Sequence, residues 1–261
     1  MKEILLTNDD GFDAPGLLAL ANALKSLGNV TIVAPAAQKS ACSHSLTLTR
    51  PLRFVRVGDG FFKLEDATTA DCVYLALETL FPNRPPDLLI SGINHGANMG
   101  EDVTYSGTCG GAMEGTLHGV PSIAASLYYE GDSVERYGYD LAAEITANLA
   151  KKVLENGFPI GEREFLNLNI PAVPKAFYKG LAVAPAGKRV YTTKAQLGRD
   201  PRGNEYYWLG EASVDCLSAP DENCDLNLVF GGFACLTPIK LDMSARDSLR
   251  GLADWLHRSG K

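Results

Sequence analysis

The chain has 261 residues, of which 46% are hydrophobic and 21% are charged, and this composition is ordinary for a globular protein. Its formal net charge of −7 argues against a nucleic-acid coat protein and against an anionic membrane surface as the main partner. No apolar run reaches the roughly 18 residues of a membrane span and no signal-peptide pattern begins the chain, so we expect a cytoplasmic protein.

Buried strands and amphipathic helices alternate from the start of the chain to about residue 172. In the first helix, Asp13 is placed to cap the start and Gly28 to end the last turn. This alternation predicts an α/β fold in which helices cover both faces of a mostly parallel sheet to form three layers. The predicted strands span residues 3–7, 30–35, 87–91, 122–126 and 165–170, with an extended stretch at 46–57, and the predicted helices span 15–27, 70–80, 108–118 and 139–155.

Two capping boxes mark further helix starts. Thr68 and Asp71 are three residues apart ahead of the helix at 70–80. Ser244 and Asp247 have the same spacing ahead of a terminal helix that runs through His257. Both pairs predict that a hydroxyl and a carboxylate satisfy the free N–H groups of a first helical turn.

The regular alternation ends after residue 172. We therefore predict a catalytic core at residues 1–172 and a C-terminal extension at residues 173–261. The extension is predicted to hold a hairpin, a last strand region at 230–241 and the terminal helix, and to take part in oligomer contacts.

Three polar loops leave the carboxyl ends of predicted strands, which is where ligands bind in open α/β sheets. The first strand is followed by Asp9 and Asp10, the second by a loop that contains Ser40, and the third by the loop at 91–108. If the topology is right, these loops share one edge of the sheet. The adjacent carboxylates of Asp9 and Asp10 repel each other unless a cation lies between them or water covers both.

The loop at 91–108 has the composition of a ligand-binding loop. Its glycines let the backbone approach a ligand closely, and Asn94 and Asn98 can each supply a carbonyl oxygen or an N–H group. Ser106, Gly107 and Thr108 then open a helix, and this combination of hydroxyls and free N–H groups predicts an anion site. Carboxylate, hydroxyl and amide oxygens are ligands that Mg²⁺ and Mn²⁺ prefer. A metal next to an anion site is typical of enzymes that hydrolyse phosphate esters.

Each pattern also has a simpler interpretation. The acidic pair alone is typical of a solvated turn or a helix cap, and the glycine-asparagine loop alone is typical of a series of turns. Their joint occurrence at consecutive strand ends favours a site. His44 and His95 lie in these loops and are interpreted as pocket-lining residues, whereas His118 and His257 fall on predicted helices and are interpreted as structural.

Motifs of several other classes are absent. No GxGxxG follows the first strand, and neither the phosphate-binding GxxxxGK[ST] nor HExxH nor GxSxG occurs. The six cysteines lie far apart without a CxxC pair, so we expect small buried thiols rather than a zinc or redox site. Arg50, Arg53 and Arg56 are interpreted as one solvated strand face.

The sequence closely resembles the SurE family, the survival protein E nucleotidases, over nearly its whole length. The combination of matching segments is far more specific than any one motif. The segments are TNDDGFDAPG at 7–16, VAPAAQKSACSHSLTLT at 33–49, TTADCVYLAL at 68–77, SGINHGANMGEDVTYSGT at 91–108, AMEG at 112–115, DPRGNEYYWLG at 200–210 and LTPIKLD at 236–242.

This resemblance implies a Rossmann-like core with a C-terminal extension exchanged between partners in a homodimer, and pairing of some dimers into homotetramers. It implies divalent-metal-dependent phosphatases that act on nucleoside 5′- and 3′-monophosphates, some of which also trim short polyphosphate. By position, the implied metal ligands are Asp9, Asp10, Ser40 and Asn94, and the implied phosphate contacts are Asn98, Ser106, Gly107 and Thr108.

We therefore hypothesise a metal-dependent phosphomonoesterase acting on nucleoside monophosphates. Asp9 is a better candidate than Asp10 to orient or deprotonate the attacking water, although the sequence does not separate the two. Asn98 and Ser106 are the other candidate catalytic residues, since they would hold phosphate oxygens and stabilise charge in the transition state. The alternatives are Ser106 as a nucleophile, a non-catalytic nucleotide- or metal-sensing stress protein, a polyphosphate-trimming phosphatase, and a structural oligomer whose loops are only turns.

Overall fold

A computed structural model describes residues 1–190, 195–209, 215–216 and 223–257, with the backbone alone for Val190, Asp215 and Cys216. Its strands are β1 (Glu3–Thr7), β2 (Asn29–Pro35), β3 (Phe54–Gly58), β4 (Phe61–Leu64), β5 (Leu88–His95), β6 (Ser122–Tyr128), β7 (Glu164–Pro171), β8 (Leu181–Val183), β9 (Arg189–Val190), β10 (Gln196–Arg199), β11 (Glu205–Trp208), β12 (Asp215–Cys216) and β13 (Ala234–Lys240). Its α-helices are α1 (Pro15–Leu24), α2 (Thr69–Thr79), α3 (Gly107–Leu117), α4 (Ser133–Tyr137), α5 (Asp140–Asn156), α6 (Asp225–Phe230) and α7 (Leu249–Leu256).

The main sheet has nine strands in the order β3-β4-β2-β1-β5-β6-β7-β13-β8. Strands β4, β2, β1, β5, β6 and β7 are parallel, while β3 and β13 run antiparallel to their neighbours β4 and β7. The chain leaves β1 toward β2 on one side and later returns to β5 on the other side. The strand order therefore reverses between β1 and β5, and an open α/β sheet has its ligand crevice at such a reversal.

Alternate residues of β1 face opposite helical layers, because successive side chains of a strand point to opposite faces. Ile4 and Leu6 belong to a core with helices α1 and α5, whereas Leu5 packs with Val73 of α2 in a second core. Helices α2 and α3 pack against each other on this second face. The predicted three-layer, mostly parallel α/β fold is confirmed.

The extension predicted at 173–261 contributes to the same sheet through β8 and β13. Strands β10 and β11 form a separate hairpin, and β9 pairs with β12. Residues 191–194, 210–214, 217–222 and 258–261 of the extension lie outside the described residues. The boundary at residue 172 stays a prediction, because the sheet continues across it.

The predicted caps have different outcomes. The box of Thr68 and Asp71 is present at α2, and Asp71 also accepts hydrogen bonds from Thr47, which ties the preceding loop to this helix. The predicted cap by Asp13 is wrong, because Ala14 occupies the N-cap of α1 without a side-chain bond. Pro15 at the first helical position removes one of the N–H groups that such a cap would satisfy.

The predicted C-terminus of one helix and the predicted start of another are also wrong. Helix α1 ends at Leu24 rather than Leu27, because a turn precedes Gly28. The terminal helix α7 begins at Leu249, and the box of Ser244 and Asp247 does not form, since the N–H of Ser244 donates to Asp242 instead.

Three strand predictions need correction. The extended stretch at 46–57 is a strand only from Phe54, and β4 was missed. The region at 230–241 begins with the end of α6, so β13 starts only at Ala234. Strand β5 continues to His95 instead of ending at Ser91, because Gly92 has no side chain where a Cβ atom would lie 2.2 Å from the carbonyl oxygen of Ala125 on β6.

No helix within the described ranges is long and apolar enough to cross a membrane. Arg50, Arg53 and Arg56 are all exposed, as interpreted, but they do not form one strand face, because only Arg56 lies on a strand, β3. Cysteine side chains that the structure describes are buried except for Cys42, which is half-buried.

Gly16 lies where helix α1 packs closely against strand β5. A Cβ atom at this position would lie 2.2 Å from the carbonyl oxygen of Ile93, and neither backbone can easily move away. We expect Gly16→Ala to lower the melting temperature by about 5 °C or more, since an overpacked contact costs about 2 kcal/mol. Gly161→Ala, whose added Cβ atom would lie at an ordinary contact distance of 3.6 Å from Oε2 of Glu164, is the control and should cause no comparable fall. Equal melting temperatures for the two variants would contradict this contact.

Candidate active site

Asp9 lies two residues after the end of strand β1, against the N-terminus of helix α3. Its carboxylate is only 4% exposed and accepts a hydrogen bond from the hydroxyl of Thr108. A Cβ atom on Gly107 would lie 2.9 Å from the Cβ and Oδ2 atoms of Asp9, so only glycine fits against this carboxylate. The first strand and the helix opening predicted as an anion site therefore meet at Asp9.

The electrostatic surroundings of Asp9 disfavour its charge. The pKa of Asp9 is raised to about 6, chiefly by burial and to a smaller extent by the neighbouring Asp10, while the hydrogen bond from the Thr108 hydroxyl acts in the opposite direction. Burial also raises the pKa of Asp10, against the hydrogen bond from the backbone N–H of His95. No Lys or Arg side chain of the described residues forms an ion pair with either carboxylate. The pair therefore fits a cation, which would compensate both charges.

The loop after β2 is joined to the same point. The backbone N–H of Lys39 donates to the carbonyl oxygen of Asp9 over 2.7 Å. Ser40 follows directly, is exposed, and accepts a hydrogen bond from Gln38 over 3.0 Å. The predicted ligand Ser40 thus lies one residue from a direct bond to Asp9.

Strand β5 brings the fourth predicted ligand to this edge. The backbone N–H of His95 donates to Oδ2 of Asp10 over 2.8 Å, and Asn94 precedes it. The side-chain amide of Asn94 donates to the carbonyl oxygen of Gly96 over 2.7 Å. With its N–H group held in this way, Asn94 has its side-chain oxygen left to bind a ligand.

The donor set can be compared with the needs of a metal. Within the described ranges, no group of three or more His, Cys, Asp and Glu side chains lies close enough to hold one. The predicted set of two carboxylates, one hydroxyl and one amide would therefore complete its coordination with water, as Mg²⁺ sites commonly do. Asn8, the neighbour of Asp9, adds a buried side-chain oxygen without a hydrogen-bond partner. These all-oxygen surroundings fit a hard divalent cation.

Ser106 is the N-cap of helix α3. Its oxygen accepts the backbone N–H of Cys109 over 3.0 Å, so its own hydroxyl proton can still be donated to an anion. Gly107 and Thr108 form the first helical turn, whose positive end favours negative charge. The hydroxyl of Thr108 is already directed at Asp9, which leaves Ser106 as the hydroxyl donor at this helix end.

Asn98 is fixed by buried polar side chains of the neighbouring strands. Its backbone N–H donates to Oδ1 of Asn169 over 2.8 Å, and its carbonyl oxygen accepts from both Asn167 and Asn169. Its side-chain amide donates to the hydroxyl of Ser126 over 2.8 Å, and one amide hydrogen remains. Sequence reasoning missed these partners, although two asparagines in the buried strand FLNLNIP were a signal.

Asp225 holds the other end of the same loop. Its fully buried carboxylate accepts the backbone N–H of Gly100 over 2.9 Å and that of Gly187 over 2.8 Å. Arg189 adds an ion pair with Asp102. The C-terminal extension therefore shapes the loop that carries Asn98 and Ser106. No local sequence signal marks Asp225, because its partners are far away along the chain.

The structure agrees with only part of the interpretation of the histidines as pocket-lining or structural. His95 lies at the site, where its ring bonds the Tyr139 hydroxyl over 2.8 Å. His44 instead bonds Glu114 of helix α3, as does His118 over 3.1 Å. The buried Glu114, which sequence reasoning missed, thus joins the loop after β2 to α3.

Comparisons with known proteins identify the family of this chain. The family model described as "Survival protein SurE" matches residues 4–193. A protein of Campylobacter fetus named "5'-nucleotidase SurE" is 63% identical over 256 residues, covering 98% of this chain and 100% of its own length. Its namesake in Campylobacter concisus is 58% identical and covers 97% of both chains. The crystal structure of the "Sure Protein from Aquifex aeolicus" matches with a TM-score of 0.83 at 38% identity, over 97% of this chain and 99% of the other.

Proposed function

Because the chain belongs to the SurE family, we propose that it is a divalent-metal-dependent phosphomonoesterase that hydrolyses nucleoside 5′-monophosphates to nucleoside and phosphate. The proposed substrates extend to nucleoside 3′-monophosphates and to short polyphosphate. The observation that carries the proposal is the position of the buried Asp9, beside Asp10 and against the N-terminus of α3. The proposed cation site and the proposed phosphate site therefore lie next to each other at Asp9.

The metal-holding residues in this proposal are Asp9, Asp10, Ser40 and Asn94. A bound Mg²⁺ or Mn²⁺ neutralises charge on phosphate oxygens and lowers the pKa of water. The carboxylate of Asp9 keeps its place through Thr108, and Asp10 through His95. Two anchored carboxylates need little reorganisation when the substrate arrives.

The phosphate group is held at the start of helix α3. The hydroxyl of Ser106 donates to one phosphate oxygen, and the N–H groups of the first turn, at Gly107 and Thr108, face the developing charge. Asn98 donates its remaining amide hydrogen from the fixed loop. These donors stabilise the transition state more than the substrate because charge builds up on the phosphoryl oxygens.

Asp9 orients the attacking water and accepts its proton. It is the more deeply buried of the two carboxylates, and its Oδ2 atom faces Gly107 while Thr108 occupies Oδ1. No side chain among the described residues acts as a base on Ser106, whose oxygen bonds the N–H of Cys109. A direct attack by water therefore explains the arrangement better than a nucleophilic serine.

The proposal is tested by a phosphate-release screen. The protein is incubated with nucleoside 5′- and 3′-monophosphates and with short polyphosphate, in EDTA and then with Mg²⁺, Mn²⁺, Co²⁺ or Zn²⁺ added back. We expect release from 5′-monophosphates that EDTA abolishes and Mg²⁺ or Mn²⁺ restores. A sensing protein would instead bind nucleotide without releasing phosphate, which would contradict the proposed activity.

Ser106→Ala is expected to weaken substrate binding more than metal binding. Loss of its hydroxyl donor should raise KM about 10-fold, since a hydrogen bond to a charged group contributes about 1.5 kcal/mol. Loss of the N-cap should also lower stability by about 1 kcal/mol. Thr68→Ala is the matched control, because it removes the N-cap of α2 and should cost similar stability without changing KM. An unchanged KM in Ser106→Ala would exclude Ser106 from the phosphate site.

The C-terminal extension is proposed to join subunits in a homodimer or homotetramer. Helix α7 supports this, because its apolar side chains are exposed in the single chain: Leu249, Leu252, Trp255 and Leu256. Contiguous exposed apolar surface of this kind marks interaction sites. Light scattering on the purified protein measures the number of chains directly, and a monomer would contradict the proposal.

A further inference from the structure

A groove of about 270 Å³ lies at the carboxyl ends of strands β6 and β7. These ends belong to the same edge of the main sheet as Asp9, because β1, β5, β6 and β7 are parallel neighbours. Its aromatic walls come from Tyr128 and Tyr129 after β6, Tyr137 on α4 and Phe230 at the end of α6. No step of the proposed hydrolysis uses these aromatic side chains.

The groove is connected to the acidic pair through one residue. The backbone of His95 donates to Asp10, and the ring of His95 lies 4.5 Å from the ring of Tyr129. Tyr139 bonds the His95 ring from another side. At about 4.8 Å per strand, the groove after β6 begins two strand spacings from β1, which leads to Asp9, and this separation is within the length of a nucleoside monophosphate.

The walls have the chemistry of a base-binding site. The side chains of Tyr129, Tyr137 and Phe230 are 36%, 41% and 41% exposed, so flat aromatic surface is available to a planar ligand. Bases stack on such side chains and are read at their edges by polar groups. Glu130 and Arg136 line the same groove. Glu130 accepts a hydrogen bond from the Tyr128 hydroxyl, and Arg136 pairs with Asp132. These contacts leave the second carboxylate oxygen of Glu130 and further N–H groups of Arg136 for the edges of a base.

We propose that this groove binds the base of the nucleoside monophosphate while the phosphate lies at helix α3. The proposal rests on the proposed function and adds the residues that select a nucleotide over other phosphate esters. A base on Tyr129 would leave its ribose to cross from the groove to Asp10, which is the order of groups in a 5′-nucleotide. A phosphate ester without a base would make no stacking contact in the groove, so the groove would not add to its affinity.

The test compares AMP with ribose 5-phosphate, which carries the same phosphate and sugar but no base. The variants are Tyr129→Ala, Tyr129→Phe and Phe230→Ala, and Tyr74→Ala on α2 is the control for loss of an exposed tyrosine elsewhere. We expect Tyr129→Ala and Phe230→Ala to lower kcat/KM for AMP about 10-fold, as loss of one stacking partner predicts. The value for ribose 5-phosphate should fall much less than that for AMP, and Tyr129→Phe should lose less activity on AMP than Tyr129→Ala, since it keeps the stacking ring.

Equal losses for AMP and ribose 5-phosphate would overturn the proposal, because the residues would then support the phosphate site rather than the base. Unchanged values for AMP would overturn it as well. Binding of adenosine, followed by NMR on the same proteins, tests the groove without hydrolysis. Adenosine binding that is weakened in Tyr129→Ala and Phe230→Ala would support the groove even if no substrate were hydrolysed, and an absence of adenosine binding would oppose it. Failure of the proposed function, in contrast, appears as an absence of phosphate release from both esters by the wild-type protein.

Discussion

Asp9→Asn is expected to abolish most phosphate release and, at the same time, to stabilise the metal-free protein. The substitution removes one proposed metal ligand and the proposed acceptor of the water proton, so kcat/KM should fall by about 100-fold or more. It keeps the oxygen that accepts the Thr108 hydrogen bond, so the fold should survive. Opposite changes in activity and stability are what a functional carboxylate in an unfavourable position predicts.

The stability change has a defined dependence on pH. The folded-state pKa of Asp9 is raised from 3.8 to about 6, so ionised Asp9 destabilises the fold at neutral pH. The destabilising contribution of Asp9 is therefore absent below pH 3.8 and reaches its full size as the pH rises through 6. At pH 8 and without metal, Asp9→Asn should gain about 2 kcal/mol in free energy of unfolding, or about 5 °C in melting temperature. The gain should shrink as the pH falls toward 4.

Thermal unfolding in EDTA at several pH values measures this dependence. Asp13→Asn is the matched control, because Asp13 is exposed and caps no helix, so the same chemical change should alter neither activity nor stability. Near-normal turnover in Asp9→Asn would remove Asp9 from the mechanism. If Asp9→Asn had a lower melting temperature than the wild-type protein at pH 8, other groups of the protein would already stabilise the negative charge of Asp9.

Gly107→Ala is expected to cause the second large loss, although it removes no functional group. The added Cβ atom would lie 2.9 Å from the Cβ and Oδ2 atoms of Asp9, so the carboxylate or the start of helix α3 must shift. A shift of this size displaces a metal ligand relative to the phosphate donors, and kcat should fall about 100-fold. Stability should fall by about 1–3 kcal/mol.

Gly161→Ala again serves as the control for a change from glycine to alanine. Kinetics and metal titration separate the two consequences of Gly107→Ala. If its kcat and metal affinity match those of the wild-type protein, the close contact between Asp9 and helix α3 does not matter for the reaction.

The positions of the candidate site residues could be predicted because strand ends are visible in the sequence. Asp9, Asp10 and Ser40 follow apolar strand residues, and the carboxyl ends of parallel strands meet at one edge. Asn94 was expected in a loop and lies instead at the end of β5, because Gly92 lets the strand approach β6 closely. Its proximity to Asp10 was nevertheless anticipated.

The residues that hold the site in place could not be predicted in the same way. Thr108 was expected to contact phosphate, but its hydroxyl is directed at Asp9, a contact that depends on how closely α3 approaches β1. Asp225 acts on Gly100 from a distant part of the chain. Such contacts depend on tertiary packing, which local sequence patterns do not report.

The groove proposed to bind the base could not be predicted from the sequence either. Tyr128 and Tyr129 follow a predicted strand, but Phe230 lies on α6, which was not predicted. The groove exists only because α6 packs beside the end of β7. A site built from separate parts of the chain becomes visible only in three dimensions.

Phosphate release by metal-depleted protein tests the central claim most directly. The protein is treated with EDTA, its residual metal content is measured, and Mn²⁺ is then titrated while phosphate release from AMP and Mn²⁺ binding are followed together. We predict no release without metal and release that rises in proportion to the occupancy of a site that Asp9→Asn abolishes. Full turnover by protein that contains no divalent metal would contradict the account.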